Sequence, residues 1–260
     1  MPNGVVPVHL CTKQIPPLKN PVFISDLHLS HDKPQTLERF RSFMREVAPR
    51  FNELVILGDL FEFWAGDDHA DAYSSVLDAL HEYSASGRLL YIMHGNRDFL
   101  LGREFSEKTG AVLITDPVRI KVGVEDILLA HGDEWCTADP EYQQFRSTLR
   151  TPDIQKAILS EKLEHRIDLA NSLRSQSRYD NAQKSTEKMD VVLSDVTRTA
   201  KHNCCHLVLH GHTHKPGHST HFIDDYRLDR WVLPDWDFDD GHDRGGYLSF
   251  EDGYLHFGHF

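Results

Sequence analysis

Pro21-Val22-Phe23-Ile24-Ser25-Asp26-Leu27-His28 sets a run of apolar, strand-forming residues directly before a carboxylate and an imidazole two residues apart. Val, Ile and Phe favour the pleated, half-buried surface of a sheet. The run therefore predicts a strand that ends where the polar pair begins. The pattern recurs four more times. Leu54-Val55-Ile56-Leu57 precedes Gly58-Asp59, and Leu89-Leu90-Tyr91-Ile92-Met93 precedes Gly95-Asn96-Arg97-Asp98. Ile127-Leu128-Leu129-Ala130 precedes His131-Gly132-Asp133, and Leu207-Val208-Leu209 precedes Gly211-His212-Thr213-His214. Between the runs the spacing turns helical. Leu37, Phe40, Met44 and Val47 share a face over 35–48; Tyr73, Val76, Leu77, Leu80 and Tyr83 do so over 70–86, with Gly87 as a stop. Strand and helix in alternation predict an α/β fold with sheet layers. In such sheets reactive groups lie on loops beyond the strand ends, where all five motifs fall.

A single Asp-x-His would be a turn or a helix cap. Five such motifs in series read as a two-metal site. Two-metal phosphoryl chemistry places ions about 3.5–4 Å apart so that they clamp the attacking and leaving oxygens. Asp26 and His28 point the same way if the chain stays extended past the strand. Asp59 is the natural bridge, with two oxygens for two ions. Asn96 offers a neutral carbonyl oxygen, and His131, His212 and His214 offer nitrogens. Seven ligands with one shared make two four-ligand sites. Mixed Asp, Asn and His ligation favours a first-row metal such as Mn²⁺, Fe²⁺ or Zn²⁺ over Ca²⁺ or Mg²⁺, and spacing does not choose among them. Gly58, Gly95, Gly132 and Gly211 each adjoin a ligand, which allows close approach of the backbone. His94 reads as a packing or supporting residue.

Outward from the motifs, the rhythm breaks at about 139–188. Thr151-Pro152-Asp153 is a helix start, with Thr at the N-cap, Pro next and an acid in the first turn. A long amphipathic helical stretch follows, carrying Ile154, Ile158, Leu163, Ile167 and Leu173. It is expected to be an inserted cap over the site. A further helix is expected over about 189–202. Near the end, Glu251-Asp252-Gly253 between Tyr247-Leu248-Ser249-Phe250 and Tyr254-Leu255-His256-Phe257 is a hairpin signal. Residues 1–20, with Pro2, Pro7, Pro16 and Pro17, are expected to form a loosely packed extension before a domain at 21–260.

The 260 residues carry a net charge of −12, which argues against non-specific nucleic-acid binding. No apolar run is long enough to span a membrane. The first residues lack a charged and apolar leader, so a cytosolic protein is expected. Cys11, Cys136, Cys204 and Cys205 show no metal spacing and read as reduced thiols. Nothing implies a protein partner.

The motifs resemble those of the calcineurin-like metallophosphoesterases. That resemblance implies a two-sheet sandwich flanked by helices, with a dinuclear site at the strand ends. By it, Asp26, His28, Asp59 and His214 hold one ion, and Asp59, Asn96, His131 and His212 hold the other. The fuller forms Gly58-Asp59-Leu60-Phe61-Glu62-Phe63-Trp64, His94-Gly95-Asn96-Arg97-Asp98-Phe99-Leu100-Leu101-Gly102 and His210-Gly211-His212-Thr213-His214-Lys215-Pro216 are similar to one branch. Its members hydrolyse the pyrophosphate bond of UDP-2,3-diacylglucosamine in bacterial lipid A synthesis. The similarity covers about residues 21–260, and the first 20 depart from it. It implies that Asp139, Ser177, Asn181 and Lys184 of the insertion, with Asn96, Arg97 and His212, contact a lipid-linked nucleotide.

The superfamily often carries His where Arg97 stands, suited to protonating an alkoxide. Arginine stays charged and cannot be that acid, but it clamps phosphate through two hydrogen bonds. A phosphate-monoester leaving group needs no proton, so Arg97 points to P–O–P cleavage. The expected reaction is attack of metal-activated water on the α-phosphorus, releasing UMP and 2,3-diacylglucosamine 1-phosphate (lipid X). Asp59, Asn96, Arg97 and His212 are the expected catalytic groups, and Asp98 is expected to orient neighbours. The lipid substrate implies peripheral attachment to the cytoplasmic face of the inner membrane; a charge of +1 over 139–188 adds little. The alternatives are a phosphoesterase for another nucleotide diphosphate, a cyclic nucleotide or a phosphoprotein, and a non-catalytic binding module. The last has no need of seven ligands.

Overall fold

A computed structural model describes residues 15–183, 188–239 and 241–259, with side chains left out at 177, 178 and 180–183. In chain order the elements are β1 (Pro21–Ile24), α1 (Pro34–Glu46), β2 (Glu53–Leu57), α2 (Ser74–Ala85), β3 (Leu89–Met93), α3 (Arg103–Thr109), β4 (Val112–Ile114), β5 (Val118–Val122) and β6 (Glu125–Ala130). There follow α4 (Pro140–Leu149), α5 (Pro152–Ser160), α6 (Leu163–Gln183), α7 (Leu193–His202), β7 (Leu207–His210), β8 (Gly217–Ile223), β9 (Tyr226–Val232), β10 (Tyr247–Glu251) and β11 (Tyr254–Gly258).

The strands form two sheets, ordered β11-β10-β1-β2-β3-β4 and β5-β6-β7-β9-β8. Strands β1 to β4 run parallel, as do β6, β7 and β9; the remaining pairs are antiparallel. Period-two alternation sends each apolar run to two different cores. Val22, Ile24, Leu54, Ile56, Leu90 and Ile92 pack against α1, α2 and α3. The intervening Phe23, Val55, Leu57, Tyr91 and Met93 meet Val118, Ile120, Ile127, Leu129 and Leu209 between the sheets. Leu128, Ala130 and Val208 turn outward to Val196 and Ala200 of α7. Strands buried on both faces read as continuous apolar runs for this reason. Each fully buried Leu, Ile or Phe contributes roughly 1.5–3 kcal/mol.

Four expectations change. The extension does not reach residue 20. Leu18 is buried between the sheets, and its amide donates to the Lys121 carbonyl at 2.8 Å. Residues 1–14 lie outside the described residues. Among the described residues the inserted stretch is helical, in three helices, but it is not amphipathic throughout: Leu169 of α6 is 42% exposed. Thr151 stands at the N-cap of α5, but its hydroxyl donates to the Thr148 carbonyl (2.8 Å) and leaves the helix amides alone. Helix α7 starts at Leu193 because the Val192 amide donates to the Trp135 carbonyl at 2.8 Å, pinning that residue in an extended conformation.

Candidate metal centre

All seven candidate ligands sit just past the carboxyl ends of β1, β2, β3, β6 and β7, adjacent parallel strands in two facing sheets. Their convergence does not come from extended backbone. Asp26, His28, Asp59, His212 and His214 have φ of 54°, 47°, 51°, 65° and 52°. This left-handed region is uncommon for residues other than glycine and persists only where the surroundings enforce it. Asp26 and His28 thus reach one point through two left-handed turns. Glycines permit the crowding at two positions. A Cβ on Gly95 would lie 2.1 Å from Asp59 Oδ1, and one on Gly211 would lie 2.1 Å from Ser25 Oγ.

Ligand atoms of Asp26, His28 and His214 lie within 4.8 Å of one another, as do those of Asp26, Asp59 and His131. Asp26 is common to both groups, and a single Asp59 oxygen faces a histidine of each. Asp59 Oδ1 accepts the Arg97 amide (2.8 Å), while Oδ2 lies 3.7 Å from both His28 Nε2 and His131 Nε2. Asn96 Oδ1 stands 2.9 Å from His131 Nε2, and the His131 and His212 rings are 5.0 Å apart.

The donor set fits cations. Asp26 is buried; its Oδ2 accepts from Ser25 Oγ (2.6 Å) and the His212 amide (2.8 Å). Its Oδ1 is buried without a hydrogen-bond partner, 3.5 Å from His214 Nε2. His131 Nδ1 donates to the Leu57 carbonyl (2.9 Å), so in the neutral ring Nε2 presents a lone pair to the Asn96 oxygen. Two acceptors at that distance require a proton or a metal ion between them. Burial opposes charge on His131, yet Asp59, Asp26, Asp133 and Asp116 together push its pKa up to about 9. Burial, followed by the neighbouring His131, holds His212 down at about 4, a neutral nitrogen donor at pH 7.

Supporting residues surround the cluster. His28 Nδ1 faces Glu62 Oε2 at 3.4 Å, and Glu62 Oε1 meets Arg174 of α6 at 2.6 Å. His214 Nδ1 faces Asp235 Oδ2 at 3.5 Å. Carboxylates behind ligating histidines fix the tautomer and raise basicity. Asp98 is buried and accepts the amides of Gly95 (2.8 Å) and Leu60 (2.8 Å), which tie the second and third motifs together. Among the described residues the Arg97 side chain has no hydrogen-bonding partner. His94 Nε2 donates to the Leu101 carbonyl (2.8 Å), and His210 Nε2 accepts from Arg230 (2.9 Å).

Asp139 is the N-cap of α4 and accepts the Tyr142 amide at 3.0 Å. Ser177 and Asn181 lie on α6 with side chains outside those described, and Lys184 lies outside the described residues. Glu62, Asp235 and Arg174 were not singled out from the sequence. Glu62 stood inside the second motif, where a buried acid three residues past a ligand was the available signal; Arg174 had none.

The model of the calcineurin-like phosphoesterase family matches residues 21–216, which span all five motifs. Three proteins called UDP-2,3-diacylglucosamine hydrolase are similar to this chain. That of Aromatoleum aromaticum is 40% identical over 231 residues, covering 88% of this chain and 92% of its own. That of Chromohalobacter salexigens is 41% identical over 216 residues, covering 83% and 88%. That of Bordetella pertussis is 39% identical over 236 residues, covering 89% and 92%.

Proposed function

Because the chain belongs to the calcineurin-like phosphoesterase family and is a metal-dependent hydrolase, we propose that it hydrolyses UDP-2,3-diacylglucosamine at the pyrophosphate bond. The products are UMP and 2,3-diacylglucosamine 1-phosphate, a step of lipid A biosynthesis. The observation that carries this reading is similarity at about 40% identity, over most of both chains, to relatives named for that substrate.

Asp26, His28, Asp59 and His214 would hold one divalent ion, and Asp59, Asn96, His131 and His212 the other, with Mn²⁺ as the metal. Such a pair, when bound, lowers the pKa of water and neutralises charge on phosphoryl oxygens. The chain's own residues do the rest. Asp59 keeps Oδ2 between the two halves because the Arg97 amide holds Oδ1. Arg97 binds phosphate as a permanent cation. A water oxygen bonds to the α-phosphorus and its proton passes to solvent, the bond from that phosphorus to the bridging oxygen breaks, and the sugar phosphate leaves as an anion that Arg97 and His212 stabilise without protonating it. Asn96, Asp139, Ser177, Asn181 and Lys184 complete the substrate contacts.

The lipid substrate places the protein peripherally on the cytoplasmic face of the inner membrane. No helix among the described residues is long and apolar enough to cross a membrane. Exposed Phe145, Ile154, Leu159 and Leu169 on α4 to α6 suit shallow contact with lipid.

Turnover in ¹⁸O-water with Mn²⁺ tests the reaction. The label is expected in UMP. Label in the sugar phosphate would move the attack to the other phosphorus. Absence of UMP, or faster hydrolysis of a soluble phosphomonoester or cyclic nucleotide, would overturn the assignment.

A further inference from the structure

Helix α4 has no buried residue, yet it lies against the metal centre: Tyr142 stacks on His212 at 6.2 Å and 22°. A helix that buries no side chain is not held by apolar packing. What holds α4 is chiefly one buried carboxylate, with Asp116 and Glu134 each 3.8 Å from Arg146 Nη2 as weaker partners. Asp133, two residues after His131, accepts from Arg146 Nε (2.8 Å) and Nη2 (3.1 Å), from Arg150 Nη2 (3.2 Å) and from the Tyr142 hydroxyl (3.2 Å). Its carbonyl accepts from Gln143 Nε2 at 2.8 Å. The helix is docked through charge-assisted hydrogen bonds, whose geometry is stricter than that of apolar contact.

Arg150, the residue that closes α4, differs from the others. The nitrogen that reaches Asp133 also donates to the Gly95 carbonyl at 3.0 Å. That carbonyl belongs to the peptide leading into Asn96. The Gly95 amide is held from the other side by Asp98, and Asp59 leaves no room for a Cβ there. The Gly95–Asn96 peptide is therefore gripped between the second motif and the inserted helix.

We propose that Arg150 is a positioning residue for the metal centre. From the end of α4 it fixes the Gly95–Asn96 peptide, so that one guanidinium nitrogen ties the inserted helix to the aim of Asn96 Oδ1. Arg146 supplies the contrast. It grips Asp133 with two nitrogens and makes no bond to the third motif.

The test compares R150A, R150K and R146A with the parent by Mn²⁺ calorimetry, with kcat and KM on the lipid nucleotide alongside. Outer-shell partners typically change metal affinity roughly ten- to hundredfold, and R150A is expected to weaken the second Mn²⁺ by that much and to lower kcat. R150K should fall between R150A and the parent, because one ammonium replaces one shared donor. R146A should raise KM through a loosened α4 and weaken Mn²⁺ binding clearly less than R150A does, because Arg150 is still present to bond the Gly95 carbonyl. Equal Mn²⁺ affinities in R150A and R146A, or parental affinity in R150A, would overturn the proposal. Should R150A fail to fold by circular dichroism, parental Mn²⁺ affinity in R150K would do the same. The kinetic arm rests on the proposed reaction; if the parent does not turn over the lipid, the calorimetry still decides the role of Arg150.

Discussion

Five of seven candidate ligands occupy left-handed backbone, and this is the feature that residue types alone do not reveal. Aspartate and histidine tolerate that region better than branched residues do, so the sequence permits the geometry without announcing it. Arg97 is the clearest case at this scale. Its amide already serves Asp59, and its side chain has no hydrogen-bonding partner among the described residues. R97K keeps the charge and loses the planar fork. It should lower kcat on the order of a hundredfold and leave the unfolding midpoint unchanged, as steady-state kinetics beside urea titration would show. Glu62 acts one step behind His28 and ties it to Arg174. E62Q removes the carboxylate that orients the ring, and it should weaken metal affinity roughly tenfold or more in Mn²⁺ titrations.

At the scale of elements, the apolar runs were legible because strands buried on both faces must be apolar throughout. Strands β4, β5 and β8 were not. The first spans only Val112–Ile114, and the other two are edge strands marked by period-two alternation rather than by a continuous apolar run. Helices α1 and α2 declared themselves by spacing. The insertion declared its helicity but not its break into three, since its helices are held less by an apolar stripe than by arginines. Arg166 of α6, itself buried, bonds the Ala65 carbonyl and pairs with Asp68. R166A leaves that carbonyl without its donor and should loosen α5 and α6 by about 1–3 kcal/mol. Hydrogen exchange should speed in those two helices and stay slow in β1 and β2. Uniform acceleration across the sheets would refute a local role.

For the whole molecule, stability should fall as acid is added. His210 is buried, and burial with the adjacent Arg230 guanidinium holds its pKa down at about 3 against an ordinary 6.5. The unfolded chain takes up a proton near pH 6.5 that the folded chain refuses until about pH 3. The unfolded state binds more protons in that window, so stability is full above it and is lost as pH falls through it. Urea midpoints between pH 7 and 4 should decline less steeply in H210Q than in the parent. Identical slopes would show that other groups carry the effect.

Taken by itself, the sequence determined which residues could be ligands and that they follow strands. It determined the two-layer α/β character and, through similarity to named relatives, the family. Those properties are local: strand propensity, helical spacing and donor chemistry are carried by neighbours in the chain. Only the tertiary structure decided that one oxygen of Asp59 faces both halves, that Glu62 and Asp235 stand behind the histidines, and that α4 hangs on Asp133. Each of these joins residues far apart in sequence. Which atoms meet there is set by how two sheets and an inserted helix pack, and no periodicity along the chain records that packing.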